Sequence, residues 1–257
     1  MKVAERPLYS AQTASTSLPK DSGFLNISPR RVTVWLMVIA VVLTLLSLSF
    51  QLNYDSCNTF TLCARIARLV DLNGEANLPV WFSSTCWLLA AATSLFISSL
   101  RDPKTKQWRR HWQGLAMLFA FLSFDETAMF HESFGGYFGA FFGVGDIFYY
   151  SWRLFGLLLL AAIGVVYLRF LLSLPGATRM LLLFAGAIFA TGAVGIEMVG
   201  GAAEAGDLGF IFGRRWAYLI AMEELFEMVG VTLTIYALLS YAQRFETSFI
   251  VKISNRL

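Results

Sequence analysis

The stretch VTVWLMVIAVVLTLLSLSF, residues 32–50, decides the fold, because nineteen consecutive residues carry no charge. At a helical rise of about 1.5 Å per residue, a run of this length crosses roughly 30 Å of hydrocarbon. A second stretch, VWFSSTCWLLAAATSLFISSL at residues 80–100, repeats the signal. Four further segments complete the reading: Trp112 to Phe134, Arg153 to Leu174, Met180 to Ala203 and Ala217 to Ala242. In the second of these, Arg169 lies near enough to the end to snorkel to the headgroups. The other three reach spanning length only by including acidic residues.

Composition agrees. Of 257 residues, 57% are hydrophobic and only 14% are charged, and mean hydropathy is +0.61. Soluble domains run nearer 45–50% apolar and about 25% charged. The expected fold is all-α, a bundle of six transmembrane helices.

Orientation follows from the basic residues. With a cytoplasmic N-terminus, fifteen of the 20 Lys and Arg fall inside. The remaining five, Arg65, Arg68, Arg153, Arg214 and Arg215, fall outside. This predicts both termini in the cytoplasm of a bacterial-type inner membrane. Residues 1–30 read as a disordered cytoplasmic tail, 31–243 as the transmembrane domain and 244–257 as a cytoplasmic C-terminal tail. No apolar signal-peptide core is evident in the first tail. Nothing in the net charge of +3 points to nucleic acid. The expected partners are membrane lipids and, for a structural subunit, other chains of a membrane complex.

Cys57 and Cys63 fall together in the first outside loop, where a disulfide is permitted, and a small loop-stapling bridge between them is expected. Cys86, within the second span, reads as a buried inert thiol.

The 17 Asp and Glu divide the opposite way. Only Glu5, Asp21, Asp102 and Glu246 fall on the cytoplasmic side. Three spans place acids in the outer half: Asp125, Glu126 and Glu132; Glu197 and Glu204; Glu223, Glu224 and Glu227. A carboxylate at the bilayer centre costs roughly 2.5–3.5 kcal/mol on insertion scales. Eight such groups must be protonated, matched by arginine, opened to water or neutralised by a cation.

Helical projection narrows the choice. Glu223, Glu224 and Glu227 lie within an arc of about 100° on a regular helix. Gly186, Ala190, Ala193, Glu197, Gly201 and Glu204 recur at helical spacing and place both acids on a small-residue face. Asp125 and Glu132, seven apart, nearly coincide in projection, whereas Glu126 and His131 diverge by about 140°. Asp125, His131 and Glu132 are therefore read as inward-facing, and Glu126 as meeting a neighbouring helix or an arginine.

These positions predict a divalent-metal site made by Asp125, His131, Glu132, Glu197, Glu223, Glu224 and Glu227, with Glu75 and Glu204 at its outer rim. Bundle-core metal sites use carboxylates from facing helices. One imidazole among so many oxygens fits Mg, Mn, Ca or Fe better than Zn. A membrane-embedded, metal-dependent enzyme acting on a lipid-like substrate would follow. Two other classes compete: a cation or proton path, which intramembrane acids commonly mark, and a structural network in which Arg153, Arg214 and Arg215 pair with the acids or bind a lipid phosphate.

Residues 74–79 (GEANLP), Asp125-Glu126 with His131-Glu132, and Glu223-Glu224-x-x-Glu227-Met228-x-Gly230 resemble a group of uncharacterised bacterial multi-pass membrane proteins. That resemblance spans most of residues 31–243 and brings no activity with it. Alkaline-ceramidase-like hydrolases are also polytopic, but this chain lacks the further intramembrane histidines that their zinc site needs.

Overall fold

The computed structural model describes residues 28–53, 62–130, 151–204 and 216–245. Nine helices are used below: α1 (Pro29–Leu52), α2 (Leu62–Leu69), α3 (Leu78–Ser99), α4 (Pro103–Gln107), α5 (Arg109–Ala128), α6 (Ser151–Ser173), α7 (Gly176–Ala190), α8 (Glu197–Glu204) and α9 (Trp216–Ala242). A π-helical segment, Thr191–Ile196, joins α7 to α8. Among the described residues there is no strand, so the all-α expectation holds for them.

Five helical stretches there are long and apolar enough to cross a membrane: Pro29–Leu52, Leu78–Ser99, Gly156–Ser173, Gly176–Gly200 and Trp216–Ala242. They correspond to five of the six expected spans. The remaining candidate, α5, has 20 residues, enough for about 30 Å, but Arg109, Arg110, Asp125 and Glu126 stand in its end turns.

Proline starts several of these helices. Pro29, Pro79 and Pro103 each occupy a first-turn position, where a missing N–H costs nothing. At α3 the Asn77 side chain caps the helix, accepting from the Val80 N–H at 3.1 Å. The same amide donates to the Gly74 and Asp71 carbonyls, at 2.6 and 2.7 Å. Gln51 of α1 donates to Asp71 at 2.9 Å, and the Leu72 N–H donates to Ser47 at 3.0 Å. The turn before α3 is thereby tied to α1.

The long helix α9 is the axis of the packing. Met228, Val231, Ile235 and Leu238, all buried, repeat along it at helical spacing. Against α7 the approach is at backbone level: a Cβ on Gly230 would lie 2.6 Å from the Phe189 Cβ and 2.8 Å from its backbone N and Cα. Small residues permit this closeness between membrane helices.

Between α3 and α5 the contact is polar as well as aromatic. Ser84 Oγ donates to the Ser123 carbonyl and Ser123 Oγ to the Ser84 carbonyl, each at 2.8 Å. Trp87 stacks on Phe119 at 5.4 Å and meets Phe189 edge-on at 5.0 Å. Replacing Ser123 by Ala removes half of the reciprocal pair. The expected cost is about 0.6–1.7 kcal/mol, the scale of interhelical hydrogen bonds in membranes. Thermal unfolding of the full-length protein in detergent measures it; an unchanged melting temperature would exclude a stabilising role for this pair.

Two expectations from regular helix geometry are corrected. Helix α5 stops at Ala128, and Met129 adopts the left-handed conformation with φ 51° while its N–H bonds the Asp125 carbonyl at 2.7 Å. The regular helix that the projection of Asp125 onto Glu132 presumes therefore ends at Ala128, and Glu132 itself lies outside the described residues. The small-residue face of the fifth span is also broken. Gly186 is exposed and a Cβ there would meet nothing within 4 Å, whereas Ala185 is buried. Phe189 and Gly192 pack on α9, and the buried Ala185, one turn before Phe189, continues their row.

Candidate functional site

The π-helical segment is what aims Glu197. Continuing the row Ala185, Phe189, Gly192 with a regular period would bring position 196 to the α9 face next. A wide turn accommodates one more residue per turn, so 197 takes that place. Such insertions are frequent at functional sites. The approach here is close: a Cβ on Gly192 would lie 2.7 Å from the Glu223 carbonyl oxygen and 3.0 Å from Glu227 Cγ.

Five carboxylates converge as a result. Glu224 and Glu227 each stand within electrostatic reach of Glu126, Glu197 and Glu223. Glu126 comes from the last turns of α5, Glu197 from the head of α8, and the other three from the first half of α9. All five side chains are half-buried. Glu126 also lies within electrostatic reach of the buried Cys86 thiol on α3. Cys86 is a free cysteine.

Of the residues singled out from the sequence, Glu197 and Glu223 lie within electrostatic reach of both Glu224 and Glu227. Glu126, read from the sequence as meeting a neighbouring helix and left out of the ligand set, lies within electrostatic reach of Glu224 and Glu227 on α9. Asp125 is half-buried beside it on α5. Glu75 is exposed in the turn before α3. His131, Glu132, Arg214, Arg215 and Cys57 lie outside the described residues, as do the side chains of Arg153 and Glu204. Cys86 was legible in the sequence, on the face of α3 that also carries Ser83 and Ala90, all buried.

Among the described residues, no three His, Cys, Asp or Glu side chains are arranged closely enough to hold a metal ion. The donor chemistry is nonetheless that of a hard cation, since carboxylate oxygens suit Mg, Mn and Ca. Ligation requires rotation of these glutamates toward one another. Glutamate side chains have the torsional freedom for that.

A family model described as a domain of unknown function, DUF8692, matches residues 33–242. No curated protein and no solved structure matches the chain.

Proposed function

The chain belongs to the DUF8692 domain-of-unknown-function family, and we propose that it is a membrane protein whose glutamate cluster binds a divalent cation. The observation that carries this reading is the convergence of Glu126, Glu197, Glu223, Glu224 and Glu227 from three separate helical segments. Like charges at membrane depth repel one another and are costly to desolvate. A cation removes both costs at once. His131 and Glu132, and Asp125 beside Glu126, complete the proposed ligand set. Mg, Mn, Ca or Fe are the fitting ions.

The reading extends to a membrane-embedded enzyme acting on a lipid-like substrate. A bound ion there would polarise an ester or phosphoryl oxygen and activate water. The chain's own contribution is to hold the carboxylates at one depth, with those not ligating free to accept a proton. Glu75 and Glu204 stand at the proposed rim, and Arg153, Arg214 and Arg215 serve as partners for surplus carboxylates or for a lipid phosphate.

The same proposal takes α5 as a sixth span, with both termini cytoplasmic in an inner membrane. Its support is the length of α5 and the skew of the basic residues. A Cys57–Cys63 bridge belongs to it as well: with Cys86 free and buried in α3, the two loop cysteines have only each other.

One observation favours a second reading, proton relay. A chain of carboxylates can pass protons without closing on a common point, and the described side chains do not so close. Bound-cation content of the full-length protein separates the two. Stoichiometric metal that disappears in the Glu224→Gln/Glu227→Gln variant supports the cation site. Metal-free protein that instead acidifies proteoliposomes, in a manner abolished by the same substitutions, supports the relay.

A further inference from the structure

At the end of the bundle away from the glutamates, the start of α5, the α6–α7 turn and the last turn of α9 enclose a cavity of about 320 Å³. Lys104, Trp108, Trp112, Pro175, Tyr241 and Phe245 are among its walls. That volume is at the low end for ligand sites. It admits a polar headgroup and its first few carbons, not a whole lipid.

The aromatic part of the wall is rigid. Trp112 is fully buried and packs edge-on against Phe170 at 4.9 Å and tilted on Tyr241 at 5.0 Å. Its buried indole N–H meets no acceptor among the described residues. The Tyr241 hydroxyl is within hydrogen-bonding distance of Thr105 Oγ1, at 3.2 Å.

Lys104 is the charged residue of the wall, and the charges around it are mostly cationic. Lys104 is exposed at the mouth. Arg244 is close enough to act electrostatically on Tyr241. Arg179 donates to the Leu172 carbonyl at 3.4 Å and so sits over the α6–α7 turn. One carboxylate opposes them: Asp102 also acts on Tyr241, but its oxygen is engaged as the α4 cap, accepting from the Thr105 N–H at 2.9 Å and the Thr105 hydroxyl at 3.2 Å. The first turn of α7 adds to the positive side. Helix α7 begins at the cavity wall, and Pro175 gives it no side-chain cap. Its leading N–H groups and its dipole therefore favour an anion.

A small, aromatic-walled cavity with Lys104 in its wall, Arg244 acting on its Tyr241 and an uncapped helix start selects an anion that offers several acceptor oxygens and carries an apolar body. We propose that it binds a phosphate-bearing ligand, either the headgroup of a membrane phospholipid or a water-soluble phosphate ester. For the lipid, exposed Leu168 and Leu172 on α6 lead up to the cavity and offer its chains an apolar track.

Native mass spectrometry of the full-length protein in detergent tests this with three probes: phosphatidylglycerol, diacylglycerol with the same chains, and glycerol 3-phosphate. Lys104 is exposed, so Lys104→Ala leaves the fold intact. Loss of one charge-assisted contact predicts about tenfold weaker binding of the phosphate ligand, with recovery in Lys104→Arg. Lys104-dependent binding of phosphatidylglycerol alone identifies a lipid site. The same dependence with glycerol 3-phosphate identifies a soluble ester. Diacylglycerol bound as tightly as phosphatidylglycerol, or binding of both phosphate probes unchanged in Lys104→Ala, overturns the proposal.

Discussion

Gly230→Leu is expected to leave little folded protein. A Cβ alone would already stand 2.6 Å from the Phe189 Cβ and 2.8 Å from Phe189 backbone atoms. A flexible side chain could swing away from such a clash, but backbone cannot, so α7 and α9 must separate. Overpacking a close-packed interior typically costs 1–3 kcal/mol and occasionally more; contact with main chain places this substitution at about 3 kcal/mol or above. Separating these helices also withdraws Glu197 from Glu224 and Glu227. The measurement is melting temperature and monodispersity in detergent. The same helical run provides the opposite case. At Gly186 an added Cβ meets nothing, so Gly186→Ala is expected to stabilise by about 0.5–1 kcal/mol through helix propensity alone. If the two substitutions behaved alike, the assignment of the inward face of α7 would be wrong.

The second large effect is a cation-dependent rise in stability. An ion that binds only the folded state at a hundred times its dissociation constant adds about 2.7 kcal/mol. For a chain of this size that corresponds to a melting-temperature increase of about 5–10 °C. Glu224→Gln/Glu227→Gln should abolish the increase, because these two groups are in reach of all the other cluster carboxylates. Without cation the variant should melt higher than the wild type, since neutral amides remove the repulsion among the glutamates. A purely structural network makes the reverse forecast: no cation response in either protein, and a variant that melts lower because its ion pairs are broken.

The spans could be read in the sequence because an apolar run of membrane length needs no tertiary partner to be recognised. The stretch read as Val32 to Phe50 became Pro29–Leu52, and Ala217 to Ala242 became Trp216–Ala242, shifts of the size that proline starts and fraying produce. The glutamates of α9 were legible for the same reason, since one regular helix fixes their relative angles. What failed was extrapolation of regularity. The left-handed Met129 has no compositional signature, unlike a glycine stop, so the break in α5 could not be read from the sequence, nor could the reach of Glu126 to Glu224 and Glu227. The π turn at Thr191–Ile196 likewise changes register without changing composition, which is why Gly186 was assigned to a face that Ala185 occupies. Glu197 still lies within electrostatic reach of Glu224 and Glu227, because the inserted residue returns it to the side facing α9.

The cluster's role rests on whether its five carboxylates take up an ion. The most direct measurement is the manganese content of full-length protein after saturation and desalting, by elemental mass spectrometry, wild type beside Glu224→Gln/Glu227→Gln. About one ion per chain in the wild type and none in the variant is the expected result. Equal content in the two proteins, or none in either after loading in turn with Mg, Mn, Ca and Fe, would contradict a cation site at Glu126, Glu197, Glu223, Glu224 and Glu227.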